Sequence, residues 1–215
     1  MVNDYTQKSE ITKIREFVYN ELSGLTFEAF GTYWIAMENN FLNTGDISLM
    51  DRFFRDYLTI QNNGIMPQEG CVAVNFTNYF NKAVRFQKKE IILRNIYRYS
   101  VYFLKLEFSK ISDEQIREKI DIVNAFGAKD SYPFLMEVFE DYDYAHINKN
   151  MLLDILNTVI GFIEDRDGLE SLQKSVSFAG LSSEINKMLV LKDYIPKFVI
   201  EDENFEKERL YCINR

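Results

Sequence analysis

Three prolines, Pro67, Pro133 and Pro196, and nine glycines are all that punctuate 215 residues. Proline removes an amide donor and clashes with the preceding helical turn, and glycine weakens a helix interior. A chain so poor in both can run in long helices. A turn-rich β sandwich or barrel needs turn residues about every 8–12 positions, and this sequence does not supply them. No strand-type alternation persists beyond a few residues, and no internal repeat or low-complexity tract occurs. Hydrophobic residues make up 47% of the chain, with 18 Phe and 13 Tyr, enough for a sizeable aromatic core. The expectation is an all-α protein, an irregular multi-helix bundle of about nine or ten helices. Residues 1–215 are read as a single helical domain, with a weak subdivision near 127–131.

Periodicity places the helices. Ile11, Ile14, Val18 and Leu22 share a face of a first helix ending near Ser23-Gly24, and Phe27, Phe30, Trp34, Met37 and Phe41 line a second over residues 26–42. Asn43-Thr44-Gly45 stops the second helix, and Asp46 or Ser48 can cap a third that runs to Ile60. Asn63-Gly64 and Pro67 mark a loop, followed by helices over about 69–83 and 88–108. Ser112-Asp113-Glu114-Gln115 has the form of a capping box for a helix carrying Ile116, Ile120 and Val123 to Gly127. Pro133 opens the next helix, and Asn148 caps another with Leu152, Leu156, Val159 and Ile163 on one side. Weaker helical patterns follow over 182–191 and 201–213.

The net charge of −8 is unevenly spread. Lys82, Arg85, Lys88, Lys89, Arg94, Arg98 and Lys105 are opposed only by Glu90 within their stretch, whereas residues 137–170 carry nine acids against Lys149 and Arg166. Arg94 and Arg98 lie one helical turn apart and Lys105 two turns further, so the three share a face, with Tyr97, Tyr99 and Tyr102 interleaved. Such a stripe can grip DNA phosphates, pair with the acidic region or a partner, or be the solvated side of an amphipathic helix. Overall acidity argues against general coating of nucleic acid.

Chemical signatures are sparse. Cys71 and Cys212 are too few for a disulfide framework or a four-ligand zinc set and read as free, buried thiols of a reducing compartment. The first residues hold no apolar signal core, and the longest apolar patch, residues 151–163, is interrupted by Asp154 and Asn157. A soluble, cytoplasmic protein is expected. His146, the single histidine, stands before a helix cap with no ligating company. The acids Glu140-Asp141-Asp143 and Glu164-Asp165-Asp167 lack the glycine-turned loop of a calcium site and read as solvated helix ends. No catalytic residue, metal site or cofactor is expected, and no HExxH, P-loop, GxGxxG or nucleophile-elbow pattern occurs.

One stretch has a family look. Phe53-Phe54-Arg55-Asp56-Tyr57-Leu58-Thr59-Ile60 is followed by Asn62-Asn63-Gly64-Ile65-Met66-Pro67 and then Asn75-Phe76-Thr77-Asn78-Tyr79-Phe80. Tyr33-Trp34-Ile35-Ala36-Met37-Glu38 precedes it, and Tyr132-Pro133-Phe134-Leu135 and Phe162-Ile163-Glu164-Asp165-Arg166 come later. Together they resemble the helical region of the GmrSD-type restriction family of bacteria, over roughly residues 27–191. Asp165 stands where the family shows one arginine of an Arg-Arg pair, and residues 169–178 look like extra sequence. The resemblance implies a helical region between an N-terminal ParB-like nucleotide-handling domain and a C-terminal HNH-type nuclease. Its scaffold positions here are Trp34, Arg55, Asp56, Tyr57, Leu58, Gly64, Pro67, Phe76, Phe80, Pro133 and Arg166.

The family's Asp-Gly-Gln-Gln-Arg signature does not occur, and His146 is not set in an HNH arrangement. The resemblance therefore implies a non-catalytic module of a restriction or DNA-defence protein. It would scaffold or contact DNA, with DNA or a nucleotide-handling or nuclease protein as partner and no membrane. The alternative is a stand-alone protein-interaction module.

Overall fold

The computed structural model describes residues 9–21, 27–62 and 64–168, which are all-α, with no strand among them. Two compact units, Met1–Phe103 and Leu104–Arg215, divide inside one helix, and residues 127–131 fall within the second. The first unit holds α1 (Glu10–Glu21), α2 (Phe27–Phe30), a π turn (Gly31–Ile35), α3 (Ala36–Leu42), α4 (Leu49–Gln61), α5 (Val72–Ala83) and most of α6 (Lys89–Glu107). Because α2, the π turn and α3 run on as one helix, the described residues hold eight helices; the rest of the nine or ten expected of the whole chain would fall outside them. The patterns at 22–24, 182–191 and 201–213 lie outside the described residues.

Helical spacing decides which rings meet. Trp34, Phe41, Phe53, Phe54, Phe76, Phe80 and Phe103 are all buried. Phe53 lies 5.1 Å from Phe54, 5.6 Å from Phe41, 5.8 Å from Phe103 and 5.9 Å from Tyr57, centroid to centroid. Phe54 meets Phe76 edge-on at 5.3 Å, and Phe17 of α1 meets Phe80 edge-on at 5.5 Å. Edge-to-face pairs set the electropositive rim of one ring on the electron-rich face of the next, adding directional preference to burial.

The start of α5 is held from a distance. Cys71 occupies its N-cap without a side-chain bond, and Glu10 of α1 accepts from the Ala73 amide at 2.8 Å. Burial pushes the Glu10 carboxyl up, but the Ala73 amide, Lys13 at 2.7 Å and the Val72 amide outweigh it and hold the group below its ordinary 4.5. A depressed folded-state value means stability present above pH 4.5 that fades as pH falls through the folded value. Glu10→Gln is expected to cost about 1 kcal/mol at pH 7 in urea unfolding, the size of a lost cap. The gap from the parent protein should close in acid; a constant gap would show that the charge is not the cause.

The second unit contains the end of α6, α7 (Glu114–Ala125), a 3₁₀ turn (Lys129–Ser131), α8 (Tyr132–Asp143) and α9 (Lys149–Gly168), with α9 packed on α7 and α8. The cap of α7 is Asp113, which corrects the Ser112 hydroxyl of the expected capping box. Asp113 Oδ1 accepts from the Gln115 and Ile116 amides at 3.1 and 3.3 Å. A carboxylate at this position is a stronger acceptor for those amides than the hydroxyl before it. Lys149 at the start of α9 binds the same carboxyl at 2.6 Å. The α7 helix ends before Gly127, whose φ of 65° is left-handed backbone that carries no Cβ penalty in glycine. Pro133 lies in the first turn of α8, and Asn148 accepts from the Met151 amide at 3.0 Å.

Asp46 or Ser48 as the cap of α4 needs a similar correction. Ser48 is the N-cap but makes no side-chain cap bond; its hydroxyl and amide both donate to Asp46 Oδ1, at 2.5 and 3.0 Å.

Candidate functional site

The residues carrying the family resemblance are packed rather than presented. Trp34, Tyr57, Leu58, Phe76 and Phe80 lie in the first unit's core, and Pro67 is buried beside its turn. Arg55 is half-buried, and Thr59 hydrogen-bonds the Arg55 carbonyl at 2.8 Å. Gly64 has φ 84° and donates its amide to the Thr59 carbonyl at 2.8 Å, closing the C-terminal end of α4. Asp56, only 3% exposed, has Arg52 Nε at 3.7 Å, and the Arg52 guanidinium also lies 5.1 Å from the Phe103 ring centre. Pro133 is buried in the second unit, and Arg166 falls on the last turns of α9.

The basic residues fall into three groups. Lys82 lies in the last turn of α5, Arg85 and Lys88 stand in the turn to α6, and Arg94 follows on α6; all four are exposed. Among the described residues no ion pair engages them. Lys89 is committed elsewhere: its Nζ donates to the backbone carbonyl of Glu21 at 2.5 Å and pairs with its carboxyl at 3.2 Å. Arg98 is half-buried and donates to Asn95 Oδ1 at 3.2 Å, and Lys105 lies on the last turn of α6, in the second unit. Tyr99 and Tyr102, which interleave with the stripe in sequence, face the core, Tyr99 packing edge-on against Tyr57 at 5.5 Å.

Phe86 stands among these charges without a charge of its own to mark it. It is 81% exposed, between Arg85 and Gln87 at the α5–α6 turn. Its only sequence signal is an aromatic residue in a polar run, outside the apolar step of both flanking helices. The turn is ordered by its own backbone: the amides of Phe86 and Gln87 donate to the Ala83 carbonyl at 3.0 and 2.9 Å. Phe80 and Ile92 anchor its two ends in the core.

Two acids sit in unusual surroundings. Glu38, 7% exposed, takes a forked contact from Arg15, with Nε at 2.9 Å and Nη2 at 3.2 Å, and the Trp34 indole lies beside it. Burial raises its pKa above the ordinary 4.5, and the Arg15 charge only partly offsets this. Burial likewise raises Asp51, against the Ile11 amide, and Glu10 adds repulsion. For Glu38 a raised folded-state value gives stability that is complete below pH 4.5 and lost as pH rises through that value. Glu38→Gln should therefore remove a loss of stability that the parent protein shows on going upward from pH 4.5; an unchanged pH profile would refute this.

His146 is exposed after α8, with Nδ1 3.5 Å from Asp141 and its ring stacked on Tyr144 at 5.9 Å. Glu140 and Asp141 are half-buried and Asp143 exposed at the end of α8, whereas the side chains of Glu164, Asp165 and Asp167 lie outside the described set. Cys71 is a free thiol and half-buried, not fully buried as expected; Cys212 lies outside the described residues. Among the described residues no three His, Cys, Asp or Glu side chains gather as a metal site, and no helix is long and apolar enough to cross a membrane. No family model, curated protein or solved structure matches the chain.

Proposed function

We propose that this chain is a non-catalytic helical module of a GmrSD-like restriction protein, a brace between nucleotide-handling and nuclease parts. One observation carries the reading. The three stretches that resemble the family, the Trp34 helix, the Arg55-Asp56-Tyr57-Leu58-Thr59 helix and the Phe76–Phe80 helix, pack on one another in a single core. Trp34 lies 6.0 Å from Phe54, Phe54 lies 5.3 Å from Phe76, and the Tyr57 and Tyr79 hydroxyls are hydrogen-bonded at 2.7 Å. Residues of this kind hold helices in place, and the family likeness then marks architecture. The restriction, DNA-defence and bacterial setting comes from the resemblance alone, and a cytoplasmic location belongs with that reading.

The test is turnover. Purified protein with magnesium or manganese and a nucleoside triphosphate should release no phosphate and leave plasmid DNA uncut. Turnover that disappears on Asp56→Asn or His146→Ala, with folding intact, would overturn the proposal.

A further inference from the structure

We infer that the α5–α6 turn is a contact site for single-stranded nucleic acid, with the Phe86 ring as a base-stacking platform and Lys82, Arg85, Lys88 and Arg94 as phosphate contacts. The inference rests on the exposure and charge of one turn and not on the family reading.

Most of the first unit's aromatic residues are drawn into its core, yet Phe86 stands 81% exposed on a hydrogen-bonded turn. On an ordered backbone, only the two torsions of the ring itself remain to be fixed when it meets a ligand. Base stacking is the interaction such a ring offers, because every base has a π face and none need be read by hydrogen bonds. An open depression of about 560 Å³, lined by residues 84–90, leaves room beside the ring.

Charge is concentrated at the same turn. Lys82, Arg85 and Lys88 flank Phe86 in sequence, and Arg94 follows on α6; all four are exposed. Their stretch is opposed by Glu90, in a chain whose net charge is −8. A local basic patch on an acidic protein concentrates phosphate at one place while the rest of the surface repels it.

Stacking and surroundings separate this ligand from others. In a duplex the base faces are already covered by their neighbours, so a projecting ring has a stacking partner only where bases are unpaired. A protein hot spot needs an apolar surround that excludes water, and Phe86 is bordered by exposed Arg85, Gln87 and Lys88. Lys89, tied to Glu21, fixes the turn and is not counted among the contacts.

The experiment is fluorescence anisotropy of the full chain with a labelled 20-nucleotide single strand of mixed sequence and with a hairpin duplex of the same sequence. Phe86→Ala should weaken single-strand binding by about fivefold or more and duplex binding by less than about twofold. Phe86→Trp should restore single-strand binding. The triple variant K82A/R85A/K88A should flatten the slope of log affinity against log salt by about 2 for the single strand. Thermal melts of each variant should match the parent, since all four positions are exposed.

The inference is overturned if the parent chain does not bind the single strand, or if Phe86→Ala weakens single strand and duplex alike. It is also overturned if poly-glutamate binds as tightly as the oligonucleotide, or if only phosphatidylserine vesicles bind in a Phe86-dependent way. Those last two results would assign the turn to an acidic protein or to a membrane surface. Phosphate release or DNA cleavage in the turnover assay would defeat the proposed function and leave these binding results standing.

Discussion

Phe53→Ala is expected to destabilise the first unit by about 3–5 kcal/mol, the usual cost of deleting a fully enclosed aromatic ring. Phe53 is completely buried and meets four rings, from Phe41, Phe54, Tyr57 and Phe103, which belong to α3, α4 and α6. Neighbours already locked against one another cannot collapse into the space, so the cavity adds to the lost transfer energy. Urea titration should show a lower midpoint with little change in slope. Phe86→Ala removes the same side chain from an exposed position and should lie within about 0.5 kcal/mol of the parent protein. Similar losses at the two sites would mean that the core assignment is wrong.

Asn124→Ala should cost the second unit about 2–3 kcal/mol. One side chain here serves three partners. Its Nδ2 donates to the Leu106 carbonyl at 2.8 Å and lies 3.3 Å from Ser109 Oγ, while its Oδ1 accepts from the Tyr132 hydroxyl at 2.6 Å. Leu106 is in the last turn of α6, Asn124 near the end of α7 and Tyr132 at the start of α8, so the amide ties three helices at one point. Alanine removes donor and acceptor together, and buried polar groups left without a partner cost more than a made hydrogen bond gains. Asn124→Asp is the sharper variant: it still accepts from Tyr132 but turns an acceptor toward the Leu106 carbonyl, and should also destabilise. An Asn124→Asp protein as stable as the parent would show that the donor side of the amide carries no weight.

The helices were legible because their signals are local. Ile14 and Val18, or Leu152, Leu156, Val159 and Ile163, fall on one face at steps of three and four, and all are buried. Gly127 and Pro133 punctuate helix ends for reasons that belong to single residues. Caps are legible only in part: Asn148 stands out, but Ser112 fits the pattern as well as Asp113, since one residue of shift leaves it nearly unchanged.

The rest depends on partners distant in sequence. Nothing near Cys71 shows that the carboxylate serving α5 comes from Glu10, and nothing near Glu38 shows that Arg15 forks onto it. The π turn through Trp34 inserts one extra residue into a helix whose apolar spacing still reads as regular. The basic stripe was visible as composition, yet sequence cannot show that Lys89 is spent on Glu21 while Lys82, Arg85, Lys88 and Arg94 stand exposed. Nor can it show that Phe86, alike in kind to the core phenylalanines, points the other way. That separation of identical residue types is set by where the chain turns.

The most direct test of the brace reading is to purify the protein natively from its host and identify what it travels with by mass spectrometry. The expected result is a ParB-like polypeptide bearing Asp-Gly-Gln-Gln-Arg, continuous with this chain or bound to it at equal stoichiometry. Recovery of this chain alone, with nucleotide hydrolysis or DNA cleavage of its own, would contradict it.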